Sequence, residues 1–328
     1  MASIETPDQP AGRDVHASIP DDFRLESGQR LAATQVIGRL IGPENAPLVV
    51  VAGGISSGRF ATRWWPSVVK ASGPIDPDRI RVLAFDLLPG RDDPGVTITT
   101  ADQARLLALL LDAVGEPRID AFVGASYGGC IGLAFAATFP ERIGELAVIS
   151  AAHRAHPAAT AVRGVQRRLL AFARDGGRET EGIALARQLA MTTYRTADEF
   201  ALRFGPTAPV EAGEAYPVCD YLIARGATYA EVTSADRWIS LSDSLDRHSV
   251  DPRAVRCPLT VIAFTSDTLV PIADSRELAA LAHDLRRLIE APSIFGHDAF
   301  LKERELIGRA LHDVLSSLIA SQPSEIAA

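Results

Sequence analysis

Four short apolar runs, each bounded by a turn signal, constrain this chain more than any other feature. Residues 47–52 read PLVVVA and stop at Gly53-Gly54, and 80–85 read IRVLAF and stop at Asp86. Residues 145–150 read ELAVIS, and 259–264 read LTVIAF. Their apolar residues are continuous rather than alternating, which is the pattern of strands covered on both faces. A fifth strand is expected at 119–123. Segments of helical spacing lie between the strands: ADQARLLALLLDAV at 101–114, closed by Gly115 and Pro117, and a helix from about Tyr127 to Phe139. Strands alternating with helices predict a parallel sheet with right-handed crossovers.

The alternation stops over residues 156–250, which are helical, charged and irregular, and resumes after Pro258. A helix is expected at 275–289 and a terminal amphipathic helix at 304–320. The organisation read from this is a disordered or extended tail over 1–25, an α/β core over 26–155 and 251–328, and a helical lid inserted at 156–250. A chain of 328 residues suits one such domain. Its 47% hydrophobic and 23% charged residues fit a soluble globular protein. The net charge of −8 argues against nucleic acid as a partner, since no basic excess exists to neutralise phosphates. Cys130, Cys219 and Cys257 are odd in number and widely spaced. They fit a reducing compartment and offer no C-x-x-C metal cluster. The polar, proline-rich start lacks the basic and apolar regions of a signal peptide, and no run of 18 or more apolar residues would span a membrane. A cytoplasmic location is the default expectation.

Gly124-x-Ser126-x-Gly128 stands between the fifth strand and its helix. The serine is either a nucleophile or a small residue in a tight turn. A serine hydroxyl is a poor nucleophile without an adjacent base, and it must also be exposed. A sharp strand–turn–helix elbow with small flanking residues achieves the exposure, and predicts partners in the chain order serine, acid, histidine. Asp267 follows the strand at 259–264, and His297 follows Gly296 in a late loop. A turn aspartate and a surface histidine are the plainer readings, but order and context favour the catalytic one. His16, His153, His156, His248, His283 and His312 fit the order less well. The developing oxyanion needs preset donors. One is the backbone N–H of Tyr127; the second comes from AGGISSG, at Ile55 or Ser56.

At this point the chain resembles the homoserine O-acyltransferase family, on an α/β-hydrolase core. The resemblance is carried by VAGGISSGRF, GASYGGCIGLAFAATFPERIGELAVIS, AAHRAHPAATAVRGVQRR, SLDRHSVDP, TSDTLVP and GHDAFL. Gln166-Arg167 and residues 296–301 are its most specific parts. It implies an α/β-hydrolase fold: a mostly parallel sheet, helices on both faces, and a helical lid. It implies acyl transfer from acetyl-CoA or succinyl-CoA to Ser126 and on to L-homoserine, for methionine synthesis, with no bound cofactor and no metal. His297 would shuttle the proton and Asp267 would orient it. Arg167 would hold the amino-acid carboxylate, Asp298 the ammonium, and Tyr229 would line the same pocket. The family also implies a homodimer with the lid helices at the interface.

The chain departs from the family in its length, in Tyr127 where many members have leucine, and in the GGISSGRF loop. These changes surround the acyl pocket, so the Tyr127 side chain is expected to help select the acyl group. A succinyl donor would need a cation, which Arg59 or Arg63 would supply. The alternatives are a serine O-acyltransferase, since one methylene gives only about 1–3 kcal/mol of discrimination, an esterase that passes the acyl group to water, and a non-catalytic binding protein. The tryptophans of RWWPS are expected to serve packing, with a pocket role left open by their distance from the elbow loop, and Cys130 to be a small core residue.

Overall fold

The computed structural model describes residues 12–205 and 216–320. Eight strands among them form one sheet: β1 (Gly12–Ser18), β2 (Gln35–Ile41), β3 (Leu48–Ala52), β4 (Arg81–Phe85), β5 (Ile119–Ala125), β6 (Ile143–Ile149), β7 (Leu259–Phe264) and β8 (Leu285–Ala291). Their order is β1-β2-β4-β3-β5-β6-β7-β8. The β1–β2 and β2–β4 pairs are antiparallel, and all pairs from β4 to β8 are parallel. The five expected strands are therefore β3 to β7, in the parallel centre.

Helices cover both faces. These are α1 (Ala61–Trp64), α2 (Thr100–Ala113), α3 (Tyr127–Thr138), α9 (Ile272–Leu281), α10 (Ala299–Lys302) and α11 (Arg304–Ala320). Successive strand residues point to opposite faces, so each central strand feeds two cores. Val50, Phe122 and Val148 pack with Leu107 of α2 and Phe135 of α3. Val49, Val123 and Ala147 pack with Trp65 and with Leu311 of α11. Helix α2 starts at a reciprocal cap, in which the Thr99 side chain accepts from the Asp102 backbone and the Asp102 carboxylate accepts from the Thr99 backbone.

Between β6 and β7, where the lid was expected, lie α4 (Pro157–Asp175), α5 (Glu179–Tyr194), α6 (Ala197–Phe204), α7 (Pro217–Ala230) and α8 (Ala235–Arg247). They share a small core of Leu170, Ile183, Ala186 and Trp238.

Two expectations change. Residues 1–11 of the expected tail lie outside the described residues, but Gly12–Ser18 form an edge strand. Val15 and Ala17 turn inward while Asp14 and His16 face solvent. The apolar content of one face is too small to announce a strand, yet the full-length register with β2 holds it. The helix expected at 275–289 ends at Leu281, and β8 follows. Leu, Arg and Glu are good helix formers, but this segment completes the open edge of β7 instead. Its charges are taken up there: Arg286 bonds Glu145 and Arg276 bonds Glu290.

Candidate active site

Strand β5 delivers Ser126 to the sheet's C-terminal edge, where crevices form in such sheets. Ser126 has φ 54° and ψ −122°, a backbone conformation costly for a residue with a side chain. The glycines explain how the turn closes. A Cβ on Gly124 would run into the Gly128 carbonyl, and one on Gly128 into the Ala52 carbonyl. The Gly128 N–H donates to Gly53 at 2.8 Å, and the Ser126 N–H to Ile149 at 2.8 Å. The elbow is thus pinned between β3 and β6. Gly54 has open space around it, so only Gly53 of that pair is sterically required.

The turn after β7 and the loop after β8 bring Asp267 and His297 to Ser126. His297 Nε2 lies 2.8 Å from Ser126 Oγ, and Nδ1 lies 2.7 Å from Asp267 Oδ2. The other Asp267 oxygen accepts from the Leu269 and Val270 N–H groups at 2.9 and 3.0 Å. Asp267 and His297 are both buried. Burial favours the neutral imidazole, but the charge and hydrogen bond of Asp267 outweigh it, so the His297 pKa is raised. Gly296 has φ 58°, and its missing side chain lets the loop approach the Tyr194 carbonyl at the end of α5.

Among the described residues the N–H of Tyr127 has no recorded partner, whereas those of Ser126, Gly128, Gly129 and Cys130 do. The N–H groups of Ile55 and Ser56 are likewise without a recorded partner, and both residues line the cavity over Ser126. The cavity measures about 220 Å³ and lies between the elbow, α4, α5, α8 and the His297 loop. Trp64 contributes to its wall. The neighbouring Trp65 is fully buried and donates to Phe300 O at 3.0 Å. Cys130 also lines the cavity, and burial pushes its thiol up to about 12. It stays protonated beside the serine.

Several residues expected at the site lie elsewhere in the structure. The Tyr127 side chain does not face this cavity. It is fully buried, and its hydroxyl meets Ser244 Oγ at 2.7 Å, fastening α3 to α8. Arg167 does not line the cavity either: its Nη1 donates to Ser242 Oγ at 2.9 Å and lies 2.7 Å from Asp246 Oδ2. Tyr229 lies at a second, adjoining cavity, where its hydroxyl accepts from Ser56 Oγ at 3.2 Å. Arg59 is bound to Asp14 and Asp86, and Arg63 stacks on Phe60; neither lines the cavity at Ser126. Asp298 does line it, with Arg195 3.3 Å away.

The sequence reading missed Arg163 and Arg187, which line the cavity, and Arg195 behind Asp298, and it gave no site role to Gln166, which it had singled out only beside Arg167. Arg163 and Gln166 lie on the inward stripe 159, 162, 163, 166, 170 of α4, the i, i+3, i+4, i+7 pattern of a helix's buried face. Polar residues on such a stripe are the signal that was available. Arg187 stacks over Tyr194 and Tyr229 and has no acidic partner among the described residues. No local pattern marks Arg195.

The alpha/beta hydrolase fold family matches this chain over residues 46–303. A homoserine O-succinyltransferase of Xanthomonas campestris pv. campestris is 42% identical over 290 residues, which cover 84% of this chain and 77% of that protein. The solved homoserine O-acetyltransferase of Bacillus anthracis superposes with a TM-score of 0.82 at 15% identity, covering 94% of this chain and 98% of that one. Esterase E22 superposes with a TM-score of 0.81 at 14% identity, covering 93% and 100%. At such identities the two solved structures share the fold alone. The 42% relative, over most of both chains, carries the closer assignment: this chain belongs to the homoserine O-acyltransferase family of the α/β-hydrolase fold.

Proposed function

We propose that the chain moves a short acyl group from an acyl-CoA thioester to the side-chain hydroxyl of L-homoserine, through an ester on Ser126. The carrying observation is the Asp267–His297–Ser126 relay at a cavity that also holds Asp298. In the first half-reaction His297 Nε2 takes the Ser126 proton as Oγ bonds the thioester carbon. Collapse breaks the C–S bond, and the thiol leaves with the proton from His297. In the second, His297 takes the homoserine hydroxyl proton while that oxygen bonds the acyl carbon. The Ser126 ester bond then breaks and Oγ regains a proton. Asp267 keeps the ring oriented and stabilises its charged form. The N–H of Tyr127, with that of Ile55 or Ser56, receives the oxyanion in each half.

Asp298 holds the acceptor ammonium. Arg187, stacked over Tyr194 in the cavity wall, takes the carboxylate role expected of Arg167. An ester hydrolase has no need of this charge pairing. The product, an O-acylhomoserine, is the activated form drawn on for methionine synthesis. The reaction needs no metal or bound cofactor beyond the CoA co-substrate. Three free cysteines suit a reducing cytoplasm, and no helix among the described residues is long and apolar enough to cross a membrane. A homodimer through the lid is supported by exposed Phe172 and Val165 on α4, Leu202 on α6 and Ile223 on α7. Following CoA release with acyl-CoA and homoserine, serine or water tests the reading. Release should depend on homoserine for steady turnover; equal turnover with water alone would make the protein an esterase.

A further inference from the structure

Asp298 reaches the cavity at Ser126 with two cations behind it. Its Oδ2 lies 3.3 Å from Arg195 Nε and 3.8 Å from Lys302 Nζ. Two positive charges against one carboxylate would leave an acceptor's ammonium facing a net cation. Glu199 of α6 supplies the missing negative charge. It is 6% exposed, accepts a hydrogen bond from Lys302 Nζ, and has Oε1 3.6 Å from Arg195 Nη1. Among these four side chains the charges balance. Arg195 is also steadied by the Tyr221 ring, whose centre lies 5.1 Å from its guanidinium carbon.

The placement of Glu199 serves Asp298 more than it serves its own helix. Helix α6 starts at Thr196, whose hydroxyl accepts from the Glu199 N–H at 3.1 Å and donates to the Ile294 carbonyl in the loop before His297. Thr-x-x-Glu at a helix start commonly closes a reciprocal cap, with the glutamate bonded back to the threonine N–H. Here the Glu199 carboxylate turns to Lys302 instead. Glu199 Oε2 and Arg195 Nη1 are buried with no hydrogen-bond partner among the described residues. A glutamate kept only to fasten α6 would close such bonds, because unpaired buried polar atoms are costly. We propose that Glu199 is a positioning residue for the acceptor: by holding Lys302 and Arg195 it keeps them from neutralising Asp298, and leaves that carboxylate's charge to the ammonium of the amino acid. Glu199 does not line the cavity and acts only through Asp298. This inference rests on the reading of Asp298 as the ammonium site and adds the residue that sets its charge.

The test measures the two half-reactions separately: acylation by acetyl-CoA and succinyl-CoA, and transfer to L-homoserine. In Glu199→Gln both cations are left to Asp298, and the KM for homoserine should rise about 10-fold with the acylation rate little changed. In Lys302→Met one competitor for Asp298 is gone, and the same KM should fall about threefold. Shifts of opposite sign mark an effect of charge. Damage to α6 or to the loop before His297 would raise KM in both variants and slow acylation. The Lys302 side chain is 27% exposed, the most of the four, so its variant keeps the test decisive if Glu199→Gln fails to fold. A homoserine KM unmoved in either folded variant, or raised in both, would overturn the role of Glu199 while leaving acyl transfer standing. A homoserine KM unmoved in Asp298→Asn would overturn the ammonium site, and this inference with it. A wild type that forms no acyl-enzyme with either thioester would overturn the acyl-transfer reading itself.

Discussion

His297 Nε2 lies 2.8 Å from Ser126 Oγ, close enough to take the hydroxyl proton in one step. Asp267 fixes this geometry from the other side of the ring. Asp267→Asn preserves the shape but reverses the preferred tautomer. Turnover should fall about a thousandfold with the far-UV circular dichroism unchanged. Near-normal turnover would move the acid elsewhere.

The His297 pKa also fixes the direction of the pH profile. Burial lowers it, and Asp267, with help from Asp298, raises it further than burial lowers it. Only the neutral ring can accept the Ser126 proton. The acid limb of kcat/KM should therefore lie above the ordinary histidine value of 6.5, with activity lost as pH falls through it. In Asp267→Asn the residual activity should show this limb at lower pH. A limb that does not move would separate the pH dependence from this pair.

Gly128 is held against the Ala52 carbonyl, and no side chain fits there. Gly128→Ala should cost about 3 kcal/mol of stability, by overpacking at a rigid backbone contact. It should lower activity further by displacing Ser126. Thermal unfolding that matches the wild type would mean that the elbow is looser than described.

Arg167 and Asp298 should separate cleanly. Arg167→Met removes bonds from α4 to Ser242 and Asp246 of α8. It should cost about 1–2 kcal/mol of stability and leave the acceptor KM near its wild-type value. Asp298→Asn should raise that KM about 30-fold with a much smaller effect on acylation by acyl-CoA. Kinetics of the two half-reactions distinguish them. The reverse pattern would return the acceptor site to Arg167.

His248 sits buried between Thr100 Oγ1 at 2.8 Å and the Ala152 carbonyl at 3.1 Å. Burial lowers its pKa to about 4. The unfolded chain binds that proton at higher pH than the folded one. Its contribution to stability is thus complete above about 6.5 and declines as pH falls toward 4, by up to about 3 kcal/mol. Urea unfolding of the wild type and His248→Gln across this range should show the variant with the shallower slope. Parallel curves would contradict the assignment.

The centre of the fold was legible because β3 to β7 are continuous apolar runs and Gly124 and Gly128 mark the elbow. The relay was legible because its order follows from that elbow. The edges were not. β1 buries only Val15 and Ala17 on its inner side, and β8 is written in helix-forming residues whose fate depends on an open sheet edge. The cavity wall was harder still. Arg167 is next to Gln166 in sequence, but one residue turns a helix by about 100°, which separates a cavity-lining side chain from one bound to α8. Tyr127 shows the same limit: its backbone lies at the elbow while its ring is spent on Ser244.

Intact-mass spectrometry of the protein mixed with acyl-CoA tests the central claim most directly. A covalent adduct of one acyl group should appear without homoserine, be absent in Ser126→Ala, and disappear when homoserine is added as O-acylhomoserine forms. An adduct that survives in Ser126→Ala, or CoA release that requires homoserine first, would contradict it.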